Sequence, residues 1–407
     1  MKYIFLTFSL ITICIKAQNS VLDSIFTSDF HKNQWVGFYL YEPIENAKLY
    51  DFQGDKYFIP ASNTKIFTLF AGLKMLSDSI PALNYLTVGD TLYIKGTGDP
   101  TLLQSHFKST RTIDFLKNRT EKIALYLNNF DDTKSGNGWA WDDYAEDFSA
   151  ERSVFPMYGN VVQVHGKRAY PDYFSDKIFL SKNLFARDLI QNIFHGDGEI
   201  PFITSDTLTR KLLEIEISKP VGLTHRFPKK EVRTLYSIPT DSLLKHMMLV
   251  SSNFLAEQIL VMSSSKISDN LSGKMSIQYL LARDLQDLPQ KPRWVDGSGL
   301  SRYNNFSPQD MVFILNKMYH EVQTERLLNF FPIGGVSGTL SGSFKGNPPY
   351  VYAKTGSMSG VYNLSGFIKT HSGRILIFSF MNNNFQHSNS EIKAQMEKIL
   401  QYVRDSY

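Results

Sequence analysis

The sequence predicts a mixed α/β fold of the α+β type, in which an antiparallel sheet is flanked by helices and interrupted by a large inserted domain. Strand-like alternation of apolar and polar residues occurs near both ends of the chain, beside segments with helical periodicity. Between them the pattern changes to short strands, turn residues and scattered aromatic residues. We therefore expect a discontinuous main domain, residues 18–77 and 240–407. The inserted domain would span residues 78–239, as one or two sub-domains.

The first seventeen residues predict a secretory signal that is removed. Lys2 supplies a short positive region, residues 3–15 form an apolar run too short to span a bilayer, and Ala17 offers a small residue for cleavage. A lipid anchor on Cys14 is disfavoured because Ile13 stands where a small residue should precede a lipidated cysteine. No later stretch is apolar for long enough to cross a membrane. We expect an exported protein, periplasmic or secreted.

The composition argues against several classes of function. In the 407 residues, 43 Lys and Arg face 39 Asp and Glu, so the formal charge of +4 gives no reason to expect nucleic-acid binding. The one cysteine lies in the predicted signal, which leaves no thiol for catalysis or disulfides. The nine histidines contain no HExxH pattern, so we expect no metal site and no cofactor.

The N-terminal part predicts a short helix over 21–29 and a hairpin of two strands, 35–41 and 48–58. Apolar residues at helical spacing over 66–76 then predict a core helix with Ser62 at or near its N-terminus. The remaining predicted elements are strands 91–94, 122–127 and 161–164 in the insertion, helices 243–262, 276–285 and 309–319, strands 350–354, 361–370 and 374–381, and a final amphipathic helix 388–403. Each terminal part is too small to bury its own apolar face, so the two should form one sheet.

A serine followed three residues later by lysine carries the first candidate chemistry. The pattern is weak alone, because it begins at Ser62, Ser105, Ser242, Ser263 and Ser390. The Ser62 copy differs because it opens a core helix, which places Lys65 on the same face one turn along. A lysine can deprotonate a serine only if burial or nearby positive charge makes its neutral form accessible. Ser62 is the predicted nucleophile and Lys65 its base.

The segment Ser251-Ser252-Asn253 joins two helical runs, where polar side chains can face a cleft. Ser251 could relay a proton towards a leaving amine, and Asn253 could hold Lys65 and a substrate amide. Capping of the second helix is the structural alternative, and it is compatible with catalysis.

The segment Lys354-Thr355-Gly356 lies on a predicted strand beside the cleft. Alternation puts Lys354 and Gly356 on one face, where the missing side chain would let substrate backbone lie along the strand. Lys354 would place a charge opposite a carboxylate. A strand end with a turn glycine is the structural alternative.

These three motifs, in this order, resemble the constellation of β-lactamases and penicillin-binding proteins. The long gap after the first motif resembles the D-alanyl-D-alanine carboxypeptidase/endopeptidase family, the S13 peptidases or class C low-molecular-mass penicillin-binding proteins. Further segments resemble that family over most of the chain: 96–102, 141–143, 253–257, 296–302, 338–340 and 360–366.

The resemblance implies a serine β-lactamase/penicillin-binding transpeptidase-like fold and hydrolysis of peptidoglycan stem peptides through an acyl-enzyme on Ser62. Lys65, Ser251, Asn253 and Lys354 would complete the proton network. The family pattern further assigns the oxyanion hole to the backbone N–H groups of Ser62 and Ser357, and carboxylate binding to Thr355 with Ser357. It implies no cofactor, and covalent inhibition by β-lactams.

The resemblance also implies a pocket for the free end of the stem-peptide diamino acid, formed by Asp143, Phe148 and Arg302. The structural alternatives are a turn or cap residue, a core residue and a surface ion pair. The chain departs from its relatives at Ser252, where Asp is frequent, and at Ser359, where some relatives carry a longer polar residue.

Two other functions remain open from the residues. A β-lactamase would differ by fast deacylation, which nitrocefin turnover would reveal. A non-catalytic peptidoglycan-binding protein would be expected to lack at least one motif residue, and all are present.

Overall fold

The computed structural model describes residues 19–165, 168–175 and 198–407. The predicted signal, residues 1–17, lies outside these ranges. Within them, no helix is both long and apolar enough to cross a membrane.

Helices and strands alternate in blocks along the described chain. The helices are α1 (19–26), α2 (Lys65–Met75), α3 (Arg111–Lys117), α4 (Asp206–Ile217), α5 (Thr240–Val250), α6 (Asn253–Ser263), α7 (Gly273–Arg283), α8 (Pro308–Glu321), α9 (Thr324–Leu328) and α10 (Asn389–Ser406). The strands are β1 (Trp35–Glu42), β2 (Ala47–Phe52), β3 (Ser79–Val88), β4 (Thr91–Gly96), β5 (Lys122–Tyr126), β6 (Val161–His165), β7 (Arg168–Tyr170), β8 (Gly198–Pro201), β9 (Val221–Thr224), β10 (Arg233–Pro239), β11 (Val351–Met358), β12 (Val361–Lys369) and β13 (Ile375–Asn383).

The main sheet joins the two ends of the chain, as the sequence predicts. Its five strands are antiparallel, in the order β11-β12-β13-β1-β2. Phe38 of β1 pairs with Phe380 of β13, and both side chains are fully buried. One face of the sheet packs against α1 and α10, and the other against α2 and α8. The result is a sheet between two helical layers, with α2 held in the core.

The second strand is shorter than predicted. It ends at Phe52, whereas alternation suggested a strand over 48–58. Gln53 adopts a left-handed conformation with φ of 51°, and the next amide, that of Gly54, donates a 3.0 Å hydrogen bond to Asp51. This turn interrupts the ladder, and Phe58 then forms only an isolated bridge with Phe306.

Residues 79–239 supply two further sheets. One has the order β10-β3-β4-β5-β9, with β4, β5 and β9 parallel, and the other has the order β7-β6-β8. Strands β4 and β5 were predicted, but their parallel pairing, the strand β9 and the helices α3 and α4 were not. Two sheets agree with an insertion of two parts, but the division into domains stays a prediction. Val261 of α6 and Leu271 lie in the same apolar cluster as the insertion, so the packing is continuous.

The Lys354-Thr355-Gly356 segment lies inside β11, not at a strand end. β11 continues to Met358 and turns back through Gly360, whose φ is 70°. β11 is also the edge strand of the main sheet. The amide of Ala353 donates a 3.0 Å hydrogen bond to the carbonyl of Pro332. The end of β11, beyond Ala353, borders the cavity described below.

Candidate active site

Ser62 lies in a 3-10 turn, Ala61–Thr64, that leads directly into α2. Its predicted position near the start of this helix is therefore confirmed. The side chain of Thr64 does not cap the helix. It donates a 2.9 Å hydrogen bond to the carbonyl of Ala61, which closes the turn. Ser62 is partly exposed and lines a cavity of about 450 Å³. Its hydroxyl thus stands between the core helix and open space.

Lys65 is fully buried beneath Ser62. Its Nζ lies 2.9 Å from Ser62 Oγ, 2.7 Å from Asn253 Oδ1 and 2.7 Å from the carbonyl oxygen of Ser298. Burial lowers the pKa of Lys65 to about 7, although the carboxylates of Asp296 and Glu257 act to raise it. The amine can therefore lose its proton near neutral pH.

The second predicted pair, Ser251 and Lys354, is also in contact. Ser251 ends α5 in a left-handed conformation with φ of 60°, and its Oγ accepts a 2.9 Å hydrogen bond from Lys354 Nζ. Burial, together with the positive charge of Lys65, lowers the pKa of Lys354 well below its usual value. The neighbouring Ser252 performs the capping role, since its side chain accepts from the amide of Leu255.

Gly356 has a different role from the predicted one. The space that its side chain would fill is occupied by the turn that carries Ser62, not left open for substrate. A Cβ here would lie 2.9 Å from the backbone nitrogen of Asn63 and would collide with the carbonyl oxygen of Pro60. Asn63 also donates a 2.9 Å hydrogen bond to the carbonyl of Lys354. The missing side chain therefore lets the strand and the nucleophile's turn pack together.

The end of β11, Ser357 and Met358, lines the cavity, whereas Thr355 is buried and does not line it. Ser357 is exposed. The hydroxyl of Thr355 donates a 2.8 Å hydrogen bond to that of Thr339. Sequence reasoning matched the segment 338–340 but assigned Thr339 no role. The contact between Thr339 and Thr355 is seen only in the folded structure and was not predicted from the motifs.

Asp143, Phe148 and Arg302 line the same cavity as Ser62. Phe148 is 40% exposed, so it is not a core residue. Its carbonyl accepts a 3.1 Å hydrogen bond from Asn253 Nδ2. The structure thus places all three candidate residues on the cavity that Ser62 lines.

Asp296 holds the loop beneath the cavity. Its carboxylate accepts hydrogen bonds from the amides of Gly299 at 2.8 Å and Ser301 at 2.7 Å, and from Trp139 Nε1 at 3.0 Å. Gly299 has a φ of 80° and packs so tightly on Ala61 that no side chain fits. This contact places the loop directly under the turn of Ser62.

Glu257 is a buried acid that sequence reasoning left without a role. Its Oε1 accepts a 2.8 Å hydrogen bond from the amide of Ser298, whose own carbonyl contacts Lys65. Arg152 Nη1 lies 3.8 Å from Glu257 Oε2. The sequence carried one signal for it: a carboxylate as the one charged residue of a mainly apolar helix, α6. Among the described residues, no group of three His, Cys, Asp or Glu side chains is arranged to hold a metal ion.

Comparison with known proteins identifies this arrangement. The model of the D-Ala-D-Ala carboxypeptidase 3 (S13) family matches residues 18–172 and 203–404. D-alanyl-D-alanine carboxypeptidase DacB of Haemophilus influenzae is 25% identical, over 91% of this chain and 90% of its own. Penicillin-sensitive carboxypeptidase A of Dictyostelium discoideum is 22% identical, over 84% and 81%.

The fold is similar to that of a solved relative. The crystal structure of penicillin binding protein 4 (dacB) from Haemophilus influenzae has a TM-score of 0.71 at 21% identity, with 94% of this chain and 97% of that chain covered. A second crystal structure of that protein, complexed with a β-lactam, has a TM-score of 0.65 at 20% identity, with the same coverage. With the family matched over most of its length and a serine-lysine pair in place, the chain belongs to the D-Ala-D-Ala carboxypeptidase 3 (S13) family and is a serine-type DD-peptidase.

Proposed function

We propose that Ser62 forms the acyl-enzyme through which this DD-peptidase cleaves peptidoglycan stem peptides. The observation that carries the proposal is the 2.9 Å contact between Ser62 Oγ and the buried amine of Lys65. Ser62 Oγ attacks the carbonyl carbon of the penultimate D-Ala, the amide C–N bond breaks, and the amine departs with a proton. Water then hydrolyses the ester and frees Ser62.

The neighbours of Lys65 orient its neutral form for proton abstraction. Two of its three contacts are to the amide oxygen of Asn253 and the carbonyl oxygen of Ser298, which can only accept hydrogen bonds. A neutral amine uses its two N–H bonds on these oxygens. Its lone pair then faces the hydroxyl of Ser62, which can donate. The geometry supports Lys65 as the general base.

Ser251 and Lys354 form the second part of the proton network. The leaving nitrogen must gain a proton as the C–N bond breaks. Ser251 can donate its hydroxyl proton to this nitrogen and recover one from Lys354, 2.9 Å away. The depressed pKa of Lys354 favours this transfer.

The N-terminal turn and the edge of β11 would stabilise the developing negative charge. In this proposal, the backbone N–H groups of Ser62 and Ser357 form the oxyanion hole. Thr355 and Ser357 bind the terminal carboxylate of D-Ala. The position of Ser62 and Ser357 on one cavity supports both roles.

Asp143, Phe148 and Arg302 are proposed to bind the far end of the substrate side chain. The free end of a diamino acid carries a positive amine and a negative carboxylate. These groups pair with a negative and a positive side chain of the protein. Asp143 and Arg302 offer these charges on one cavity, and the exposed ring of Phe148 can cover the methylene groups between. Asp143→Asn should weaken cleavage of substrates with a free amine more than that of substrates without one.

Export is also part of the proposal, because peptidoglycan lies outside the cytoplasm. The predicted signal would be removed from the functional protein. Amino-terminal sequencing of protein recovered from the cell envelope tests this. A start at or just after Ala17 supports export, and a retained Met1 argues against it.

Digestion of isolated peptidoglycan, followed by mass analysis of the products, tests the activity itself. Loss of one alanine from a stem peptide indicates carboxypeptidase action, whereas cleavage of dimers to monomers indicates endopeptidase action. Ser62→Ala is the matched control and should release neither product. Digestion that survives this substitution would contradict the assignment of the nucleophile.

A further inference from the structure

The base lies above a buried row of charges that the chemical steps described so far do not use. Glu257 and Arg152 are 1% and 5% exposed. Glu257 contributes its carboxylate from α6 of the main domain, whereas Arg152 reaches it from the segment between β3 and β10. On its other side, Arg152 Nη1 lies 3.4 Å from Asp132 Oδ2. Buried charges are costly unless they are paired, so this row must serve a purpose.

The row is linked to the base by a short chain of hydrogen bonds. Glu257 Oε1 accepts from the amide of Ser298 at 2.8 Å. The carbonyl of the same residue accepts from Lys65 Nζ at 2.7 Å. Ser298 is fully buried and follows Gly297, whose carbonyl accepts a 2.6 Å hydrogen bond from Thr68. A carboxylate therefore fixes the backbone residue that orients the lysine.

We propose that Glu257 is a positioning residue for the base: its carboxylate holds Ser298 against Lys65, and its charge, balanced by Arg152, stabilises the protonated amine. The inserted segment would thus act on proton transfer as well as on substrate binding. The inference rests on the proposed role of Lys65. It goes beyond that role by assigning a function to a residue that touches neither substrate nor Ser62 in the described contacts.

The surrounding charges determine the direction of the effect. The carboxylates of Asp296 and Glu257 raise the pKa of Lys65 against the effect of burial. Lys354 is also buried, and there the positive charge of Lys65 lowers the pKa of Lys354. The carboxylate of Asp296 accepts four hydrogen bonds. Three come from Gly299, Ser301 and Asn304 of its own loop, and one comes from Trp139. Glu257 is therefore the acid whose charge can be removed with least damage to the loop.

Burial and the charge of Asp296 raise the pKa of Glu257, whereas Arg152 and the hydrogen bond from Ser298 lower it. The contact with Arg152 thus opposes the effect of burial on this carboxyl group. Burying the Arg152–Glu257 ion pair costs free energy. In this proposal, the pair helps to keep the pKa of Lys65 near the pH at which the base works.

Glu257→Gln in the full chain tests the proposal. The amide keeps an oxygen for Ser298 but loses the charge, so the pKa of Lys65 should fall. The rate of labelled-penicillin acylation depends on neutral Lys65. Its acid limb should therefore move about one pH unit lower, and the variant should keep more of its plateau rate in acid than the parent does. A merely structural role would lower the rate without moving the limb.

Glu42→Gln is the matched control, because Glu42 is also buried but bonds to its own turn. It should leave the profile unchanged. Glu257→Asp tests the contact with Ser298 separately from the charge. Its carboxylate keeps the charge but is too short to reach Ser298, so acylation should slow about tenfold with the limb in place.

The outcomes separate this inference from the proposed function. An unmoved limb in folded Glu257→Gln, or an unchanged rate in Glu257→Asp, overturns the role of Glu257 and leaves Ser62 as the nucleophile. Labelling of Ser62→Ala would instead overturn the proposed function.

Discussion

In the proposed mechanism, the protonation state of one residue, Lys65, decides when this enzyme can work. Its pKa of about 7 means that the neutral fraction rises as pH increases through neutrality. We therefore predict that acylation by a labelled penicillin accelerates from acid to neutral pH with a midpoint near 7, and then levels off. A rate that stays constant down to mildly acidic pH would contradict a lysine base.

Lys65→Arg should abolish this behaviour. A guanidinium cannot lose its proton in this range, so acylation should fall by about 10³-fold. Rapid mixing with labelled penicillin measures the rate. The thermal unfolding temperature provides the control for folding, because a lost fold would also lower the rate.

Gly356 tests the packing between β11 and the turn of Ser62. Gly356→Ala puts a methyl group against Pro60 and Asn63, which should displace the turn and reduce acylation by about 100-fold. We also expect a loss of about 1–3 kcal/mol in the free energy of unfolding, measured with urea. Gly342→Ala is the control, since a Cβ there meets nothing within 4 Å. Equal effects of the two substitutions would contradict this account.

At this scale the motif residues were predictable, and their supporting contacts were not. The start of a core helix and the order of the three motifs singled out Ser62, Lys65 and Lys354, and the structure brings each to its expected partner. The space beside Gly356, the contact of Thr339 with Thr355 and the place of Glu257 arise from segments far apart in sequence. No local pattern contains that information.

The connection between α5 and α6 shows how an element positions a side chain. Ser251 is held in a left-handed conformation that costs about 1–2 kcal/mol for a residue with a Cβ. Ser251→Gly should therefore be more stable than Ser251→Ala by about 1 kcal/mol, while both lose turnover because both lose the hydroxyl. Urea unfolding and D-Ala release measure the two effects. Full turnover in either variant would remove Ser251 from the proton network.

Elements with strong periodicity were predicted well, and those governed by turns were not. The apolar spacing of α2 and the alternation of β12 and β13 identified them. β2 ended early because Gln53 takes a left-handed turn that alternation does not reveal. The helix α4 was missed although Leu208, Leu212 and Leu213 mark its buried face. Only four of its 12 residues are buried, so its apolar pattern is much weaker than that of α2.

At the scale of the whole molecule, buried polar contacts join residues 79–239, the predicted insertion, to the rest of the described chain. Gln258 of α6 donates to the carbonyl of Gly98 at 2.8 Å and accepts from the amide of Ser153 at 3.1 Å. Asp132 accepts a 2.7 Å hydrogen bond from Gly273 at the start of α7. We predict that both parts unfold together, in a single calorimetric transition. Two separated transitions would show that the insertion is an independent unit.

The joining of the two chain ends in one sheet was predictable, because neither end could bury its apolar face alone. The internal order of the insertion was not. Its parallel sheet pairs Thr91 of β4 with Lys122 of β5 and Ile123 of β5 with Val221 of β9, and short strands carry too little pattern to specify such non-local pairs.

The most direct test of the central claim is the intact mass of the protein after incubation with a penicillin, with peptide mapping of the adduct. The account predicts one β-lactam per chain, attached to the peptide that contains Ser62, and no adduct on Ser62→Ala. An adduct on any other residue, or one that persists in Ser62→Ala, would contradict it.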